Sequence, residues 1–380
     1  MPENRALEGL RVVDLSTLFA APQIGALLAD LGADVVKVEP PTGDPLEGLG
    51  LQRGGRSAPY RLANRGKRRV VVDFDTEAGL VAVGELTARA GVVVCNQPRT
   101  VLARWHCTPE EIAARNPRAV VVTVSCYGTT GPWADRPGNG SLAEAFAGLT
   151  NLTGEADGPP MLGSVALGDS LVALAGAFGA LAACWHRDAA GGSGQHVDVS
   201  MYEPVIALLG PAVAAWAPGE PPPVRTGSRV PGGVPRNVYR AADGRYVVLS
   251  GTTDAQVARV LAVIGRDTPE DHAKFGKSAD RLARVDELDG LVADWIAAHP
   301  RDDVLTAFDG ARVPITPVND LAELAEHPQV VARGSLVTVS DPTGSVVLPG
   351  PVARLGATPA VAGPAPVDAV PVAQVVAGWS

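Results

Sequence analysis

GVVVCNQPRTVLARWHCTPEEIAARNPRAVVVTVS, residues 91–125, has the clearest fold signal in this chain. It contains two continuous apolar runs, GVVVCN at residues 91–96 and AVVVTVS at residues 119–125, with a helical pattern near residues 109–115 between them. Strands that are apolar along their whole length are typical of a parallel sheet covered on both faces. The stretch therefore predicts a β-α-β unit within a parallel sheet.

The same alternation of strand and helix extends toward the N-terminus. Apolar runs lie at residues 10–16, 34–39 and 68–74, and helical patterns lie at residues 21–31 and 77–89. We therefore predict an α/β fold, with a doubly wound, mostly parallel sheet in a large domain.

After the last of these strands the pattern changes. Residues 127–160 are rich in Gly, Pro and polar residues and predict a long loop that is functional or mobile. A helix at residues 171–186 follows; it is apolar but shorter than the roughly 20 residues that a membrane span requires. Residues 236–328 combine a hairpin pattern around Asp243-Gly244 with helical patterns such as the one at residues 279–299, which predicts a smaller α+β domain.

The predicted domain boundaries follow from these changes in composition. A large domain is expected at residues 1–217, a Pro- and Gly-rich linker at residues 218–235, and the small domain at residues 236–328. Residues 329–380 form a C-terminal segment in which strand-like alternation returns.

Charge and motif content exclude several classes of function. The 380 residues carry a net charge of −9, which is a poor match for nucleic acid or an anionic membrane. The 4 cysteines are widely spaced and the 6 histidines are scattered, so no metal site is expected. The start MPENRALEGL lacks the apolar core of a signal peptide, which predicts a reduced, cytoplasmic protein. A GxxxxGK[ST] phosphate loop, a GxSxG elbow and an HExxH motif are all missing.

One carboxylate is a candidate for chemistry. Asp169 lies in ALGDS, directly before the apolar helix. The commonest use of such an aspartate is to cap the helix, because its oxygens accept hydrogen bonds from the first free N–H groups. An ionised carboxylate in a dry pocket also attacks activated carbonyl groups and forms acyl intermediates.

Basic and amide side chains near the sheet are candidates for ligand binding. The cluster NRGKRR at residues 64–69 predicts either a solvated turn or a phosphate site. Asn96 ends a strand at its carboxyl side, where open α/β sheets bind ligands. Lys37 and Arg104 are isolated charges of the kind that usually lies on the surface.

In their order along the chain, these motifs resemble family III CoA-transferases, the group of formyl-CoA:oxalate CoA-transferase, carnitine CoA-transferase and α-methylacyl-CoA racemase. The resemblance covers nearly the whole chain, through LEGLRVVDLS, LANRGKRRVVVDF, GPPMLGSVALGDS, GSGQHVDVSMYEPVIALL and ADGRYVVLSG. It implies a two-domain chain whose C-terminal segment returns to the large domain. It also implies an interlocked homodimer.

The resemblance implies a reaction as well. Asp169 matches the family's catalytic aspartate, which attacks an acyl-CoA thioester before the coenzyme A passes to an acceptor carboxylic acid. Coenzyme A and acyl-CoA are then substrates, and no cofactor is tightly bound. Two alternatives stay open, a racemase that moves an α-proton and a CoA-binding homologue without turnover.

Further residues match the family's binding positions. Those expected to contact coenzyme A are Asn64, Arg65, Lys67, Arg68, Asn96 and Arg104. The chain departs from the family at residues 96–100, where NQPRT replaces the common Asn-Phe-Arg-Pro-Gly and the aromatic residue near the adenine is lost.

Three residues are expected in the substrate pocket. Phe19 stands where the formyl-CoA enzyme has a glutamine, which argues against formate or oxalate and favours a larger acyl group. Asn139 stands where the racemase has a histidine, and an amide takes up no proton at neutral pH. Asp254 lies near the position of a supporting glutamate in the racemase.

Overall fold

The computed structural model describes residues 5–379. Its strands, in chain order, are β1 (Arg11–Asp14), β2 (Asp34–Glu39), β3 (Gln52–Arg53), β4 (Arg56–Ser57), β5 (Arg68–Val71), β6 (Val92–Cys95), β7 (Val120–Ser125), β8 (His196–Ser200), β9 (Arg236–Arg240), β10 (Tyr246–Ser250), β11 (Ile315–Pro317), β12 (Leu336–Asp341) and β13 (Gly344–Pro349).

The helices are α1 (Ala20–Asp30), α2 (Ala58–Ala63), α3 (Glu77–Arg89), α4 (Arg99–Arg104), α5 (Pro109–Arg115), α6 (Gly140–Phe146), α7 (Leu149–Leu152), α8 (Leu167–Ala189), α9 (Tyr202–Leu208), α10 (Gly210–Ala215), α11 (Asp254–Val263), α12 (Pro269–Phe275), α13 (Ser278–Leu282), α14 (Val285–Ala297), α15 (Arg301–Gly310), α16 (Leu321–Glu326), α17 (Pro328–Arg333) and α18 (Val372–Gly378). A short 3-10 helix lies at Pro45–Gly48.

The chain divides into two compact units. Unit 1 contains the residues up to Thr150, then Leu162–Glu220, and the chain from Pro328 onward. Unit 2 contains Asn151–Met161 and Pro221–His327. The short segment 151–161 was expected in the large domain and groups with unit 2 instead.

Unit 1 is built on a six-stranded sheet in the order β5-β2-β1-β6-β7-β8. All of its pairings are parallel. The predicted α/β class with a parallel sheet is therefore confirmed. Valine-rich strands form the middle of this sheet because helices cover both of its faces.

Successive side chains of a strand point to opposite faces, and both faces are packed. Val12 and Val94 lie with α1 and α8 on one side. Val13 and Val93 lie with α3, α5 and α18 on the other. This two-sided burial explains the continuous apolar runs in the sequence.

Helix α8 is longer than predicted. It has 23 residues and starts at Leu167, whereas the sequence pattern placed its start at residue 171. By length and composition this helix alone, among the described residues, would be able to cross a membrane, so the prediction that it is too short is wrong. One side of it packs against α1 and the sheet.

The segment at residues 127–160 is less irregular than expected. It contains α6, and the side chain of Asn139 caps that helix by accepting a hydrogen bond from the Leu142 N–H at 3.2 Å. The helix α7 follows at once.

The end of the chain packs on unit 1. Helix α18 lies against α3. The Trp379 indole N–H donates to Asp34 Oδ2 at 2.6 Å, and the Val361 N–H donates to the Asp30 carbonyl at 2.8 Å. Residues 329–355 were predicted as strand-like. They contain most of α17, which is followed by the hairpin of β12 and β13.

Unit 2 has a small antiparallel sheet in the order β11-β10-β9 with helices packed on it. Its core includes Tyr239, Phe275 and Phe308. The single helix predicted at residues 279–299 is two helices, α13 and α14.

Candidate active site

Asp169 lies in the first turn of α8, as its third residue. Ala166 occupies the N-cap position and makes no side-chain capping bond, so the prediction that Asp169 caps the helix is wrong. The carboxyl group faces the start of α6, where a β-carbon built on Gly140 would lie 2.4 Å from Asp169 Oδ2. Glycine at position 140 therefore makes room for the carboxylate.

A second carboxylate, Glu144 on α6, is buried beside the start of α8. Its Oε1 accepts a hydrogen bond from the Gly168 N–H at 2.8 Å. Gly168 itself packs closely, since a β-carbon there would lie 2.9 Å from the Gly140 carbonyl oxygen. Glu144 thus fixes the turn that carries Asp169.

The surroundings make Asp169 a stronger base than an ordinary aspartate. Burial raises the pKa of its carboxyl group, and the nearby Glu144 charge raises it further, while the backbone N–H of Asp169 lowers it in part. None of the lysines and arginines among residues 5–379 pairs with it. A half-buried carboxylate without a cation partner has lone pairs free for chemistry.

Cys126 lies near Asp169. Its thiol is 3.6 Å from the Asn139 carbonyl oxygen, and burial raises its pKa, with a further contribution from the Asp169 charge. At the end of α6, the ring of Phe146 lies 4.9 Å from Trp133 and 5.1 Å from Tyr202. These three rings form an aromatic cluster in unit 1.

Glu144 was not among the predicted site residues. It has no motif spacing to Asp169, and only the packing of α6 against α8 brings the two carboxylates together. The sole local signal was the pair of glycines at positions 138 and 140, next to Asn139.

The basic cluster at residues 64–69 is not arranged as predicted. Lys67 Nζ is fully buried and donates to Asp14 Oδ2 at 2.7 Å, to the Pro22 carbonyl at 2.7 Å and to Asn64 Oδ1 at 2.8 Å. Asn64 is buried as well. These two side chains hold the fold together, and neither presents a group to a phosphate.

The two arginines of this cluster are also paired within the fold. Arg65 is buried and its NH2 lies 2.7 Å from Asp30 Oδ2. Arg68 is partly exposed and its NH2 lies 2.6 Å from Asp34 Oδ2. Each cation of the cluster thus has a carboxylate partner, and binding of coenzyme A phosphates by these residues stays a prediction.

Asn96 and Arg104, the other two predicted contacts of coenzyme A, differ in whether their side chains have partners within the fold. Asn96 follows β6 and bonds twice to Thr17, accepting from its N–H and donating to its carbonyl, both at 2.9 Å. It pins the loop between β1 and α1 rather than presenting a free amide. Arg104 ends α4 and is exposed, and its side chain has no partner within residues 5–379.

Two more predicted pocket residues, Phe19 and Asp254, belong to different units. Phe19 precedes α1 and packs against a small buried cluster that includes Leu46 and Tyr60. Asp254, in unit 2, pairs with Arg281 at 2.8 Å. Within the described part of the chain, no cluster of His, Cys, Asp or Glu is arranged to hold a metal ion.

The chain is similar to known proteins over nearly its full length. The family model for CoA-transferase family III matches residues 7–368. The chain is 34% identical to succinyl-CoA–D-citramalate CoA-transferase of Chloroflexus aurantiacus over 93% of this chain and 89% of the relative. It is 31% identical to succinate–glutarate CoA-transferase of Agrobacterium fabrum over 91% of this chain and 88% of the relative.

A solved structure shows the same fold. A CAIB/BAIF family protein from Brucella suis superimposes with a TM-score of 0.85 at 29% identity, and the match covers 100% of both chains. The family match and the two transferases together determine the classification. The chain belongs to CoA-transferase family III and is an enzyme of that family.

Proposed function

We propose that this enzyme transfers coenzyme A from an acyl-CoA thioester to a carboxylic acid through a covalent intermediate on Asp169. The observation that carries the proposal is the Asp169 carboxylate itself, half-buried in the first turn of α8 and without a cation partner among residues 5–379. A carboxylate held only for structure is normally paired or capping, whereas this one is neither.

The proposed reaction starts with attack of an Asp169 oxygen on the thioester carbonyl carbon. The carbon–sulfur bond breaks, coenzyme A leaves as a thiolate, and the acyl group remains as an aspartyl anhydride. The thiolate then attacks the aspartyl carbonyl carbon, which releases the donor acid as a carboxylate and leaves an aspartyl-CoA thioester.

The second half of the reaction repeats these steps with the acceptor. An acceptor carboxylate oxygen attacks the aspartyl thioester and releases the thiolate again. The thiolate attacks the acceptor's acyl carbon, which forms the new acyl-CoA and regenerates Asp169. One thioester replaces another, so no oxidant, reductant or nucleotide triphosphate is consumed.

The proposed substrates are dicarboxylic acids and their CoA esters. The two relatives are named for succinate with citramalate or with glutarate, all dicarboxylic acids. Phe19, which stands where the formyl-CoA enzyme has a glutamine, also favours an acyl group larger than formyl.

Chemical trapping of the activated Asp169 carbonyl group tests the proposal. Wild-type protein is mixed with succinyl-CoA and quenched with hydroxylamine, and its peptides are analysed by mass spectrometry. A hydroxamate at Asp169 supports the covalent route. CoA exchange without a modified Asp169 would overturn that route, and absence of exchange with every acyl-CoA would overturn the function.

The racemase alternative finds no support at Asn139. Its side-chain oxygen caps α6 by accepting a hydrogen bond from the Leu142 N–H. An amide takes up no proton at neutral pH and therefore does not serve as a general base. Deuterium exchange at the α-carbon of an acyl-CoA in heavy water would reverse this assignment. Binding of acyl-CoA without exchange or adduct would favour the inactive homologue.

Arg104 is the predicted phosphate-binding residue that remains available. We expect Arg104→Ala to raise KM for succinyl-CoA about tenfold with kcat unchanged, because a charge-assisted hydrogen bond is lost equally from ground and transition states. Steady-state kinetics measure this, with Arg89→Ala at the end of α3 as the matched control. An unchanged KM would move the nucleotide site elsewhere.

Glu144 is expected to set the pH range of the reaction. Its negative charge raises the pKa of Asp169, so Glu144→Gln lowers that pKa and leaves Asp169 ionised at more acidic pH. The acid limb of the kcat/KM profile then moves to lower pH. The glutamine oxygen keeps an acceptor for the Gly168 N–H. Glu85→Gln, on the exposed side of α3, serves as control, and an unmoved acid limb in Glu144→Gln contradicts the expectation.

We further propose that two copies form the interlocked homodimer implied by the resemblance. Leu174, Phe178 and Trp185 are exposed by 47%, 76% and 72% along one side of α8. An apolar stripe of this size is normally covered by a partner. Analytical ultracentrifugation tests the proposal, and sedimentation at the monomer mass of 39.0 kDa would refute it.

The four cysteines support the predicted reducing, cytoplasmic location. All are free and buried. Thiols in this state are typical of proteins in a reducing compartment.

A further inference from the structure

Unit 1 contains a cavity in the part of the chain that follows unit 2. Its volume is about 480 Å³, within the range of small-molecule sites. The wall forms where α17 ends and where the chain leaves β13, and it consists of Arg333, Ser335, Gly350, Pro351, Val352 and Arg354. Asp169 is not part of this wall, so the proposed reaction leaves the cavity unused.

Backbone hydrogen bonds fix the frame of the cavity at the open end of the β12–β13 hairpin. Just beyond the last pair of these strands, the Gly350 N–H donates to the Ser335 carbonyl at 2.9 Å. The Ser335 N–H donates to the Val330 carbonyl, in α17, at 3.0 Å. A β-carbon on Gly350 would lie 3.0 Å from the Gly334 carbonyl oxygen, so glycine lets the two chain segments approach. The end of α17 and the hairpin are thereby tied together.

Two arginines on this wall carry charges that the fold does not neutralise. Arg333 is the last residue of α17, and Arg354 lies in the segment after β13. Both are exposed, and neither guanidinium group has a hydrogen-bond or ion-pair partner in the part of the chain that the structure describes. Asp341, on β12, pairs instead with Arg56 and Arg61, at 2.9 and 3.3 Å.

The rest of the wall adds a hydrogen-bond donor and no opposing charge. Within residues 5–379, neither Asp nor Glu contributes to it, and the Ser335 hydroxyl has no partner. The cavity therefore holds two uncompensated positive charges in a chain whose net charge is −9. Pro351 and Val352 supply its only apolar side chains, which leaves little surface for an acyl chain.

This set of groups matches a phosphate monoester better than a carboxylate. A phosphate monoester carries nearly two negative charges above about pH 6 and has three terminal oxygens that accept hydrogen bonds. Guanidinium groups donate to such oxygens in pairs. A carboxylate carries one charge and would leave one of the two arginines unmatched.

We propose that this cavity binds the phosphate group of a small phosphate monoester, held by Arg333 and Arg354, with the Ser335 hydroxyl as a further donor. A phosphate group fills only part of 480 Å³, and the remaining space accommodates the organic part of the ligand. Binding at this site requires neither the Asp169 carboxylate nor any transfer of coenzyme A.

Isothermal titration calorimetry of the full chain with glycerol 3-phosphate at neutral pH tests the proposal. It compares wild type with Arg333→Gln, Arg333→Lys and Arg354→Gln. Arg53→Gln, at an exposed arginine of unit 1 outside the cavity wall, is the matched control. We expect Arg333→Gln and Arg354→Gln each to raise Kd about tenfold, since each loses a charge-assisted hydrogen bond. Arg333→Lys should raise Kd less, and Arg53→Gln should leave it unchanged.

Further titrations identify the source of the phosphate group. Inorganic phosphate should bind more weakly than glycerol 3-phosphate, and equal Kd values would contradict the ester as ligand. Coenzyme A itself has a phosphate monoester on its ribose, so it is compared with 3′-dephospho-CoA. A Kd that rises in Arg333→Gln for coenzyme A alone would support the site and identify the substrate as its ligand. An unchanged Kd for coenzyme A, with weakened binding of glycerol 3-phosphate, would support a site separate from the transfer reaction.

Four results would overturn the proposal. The first is no saturable binding of glycerol 3-phosphate to wild type, and the second is an unchanged Kd in either Arg333→Gln or Arg354→Gln. The third is an equal loss in Arg53→Gln, which would indicate general electrostatics. The fourth is binding of succinate as tightly as glycerol 3-phosphate, because the site would then not distinguish phosphate from carboxylate.

Discussion

Asp169→Asn is expected to lower kcat for CoA transfer at least about 10³-fold, as loss of a covalent nucleophile typically does. The amide has the shape of the carboxylate but lacks the negative oxygen that attacks the thioester. It also keeps the contact with Gly140 at the start of α6. The affinity for coenzyme A, measured by calorimetry, should therefore stay near the wild-type value.

The measurement is the rate of CoA exchange between succinyl-CoA and a second acid, followed by liquid chromatography and mass spectrometry. Asp169→Ala guards against slow deamidation of the new asparagine. Asp294→Asn, an exposed position on α14, is the matched control and should keep wild-type activity. Undiminished exchange in Asp169→Ala would remove Asp169 from the reaction.

The second large effect is expected on stability, from Lys67→Met. Lys67 and Asp14 are both fully buried, with Nζ and Oδ2 separated by 2.7 Å. Removal of the ammonium group leaves the Asp14 carboxylate without its closest cation and leaves Asn64 and the Pro22 carbonyl without a donor. Breaking a buried ion pair on one side costs about 3–5 kcal/mol of unfolding free energy.

Urea denaturation followed by circular dichroism measures this loss. Lys277→Met, at an exposed position, is the control and should change the unfolding free energy by less than about 0.5 kcal/mol. The double variant Asp14→Asn with Lys67→Met should be less destabilised than the sum of the single variants, because the unpaired charge is gone. A Lys67→Met protein as stable as wild type would show that the pair adds nothing to the fold.

The fold class could be predicted from the chain because its signal is local. The central strands β6 and β7 bury both faces, so the valines at residues 92–94 and 120–122 follow one another without polar interruption. Helix ends were less predictable. The start of α8 at Leu167 depends on the contact between α6 and Gly168, which no local pattern records.

The residues of the candidate site could be predicted from the sequence only in part. Asp169 was identified from its motif, and its position in the first turn of α8 required the structure. Asn64 and Lys67 were predicted to bind a ligand because basic turns often do, yet both are buried and bonded inside unit 1.

The parallel sheet and the candidate aspartate could both be predicted from runs of neighbouring residues. Which charged side chains are free could not, because their partners are distant in the chain. Lys67 meets Asp14 across 53 positions of the chain, Arg65 meets Asp30 across 35, and Glu144 meets Gly168 across 24. A charge is available to a ligand only where no partner lies within a few ångströms, and that depends on distances in space rather than along the chain.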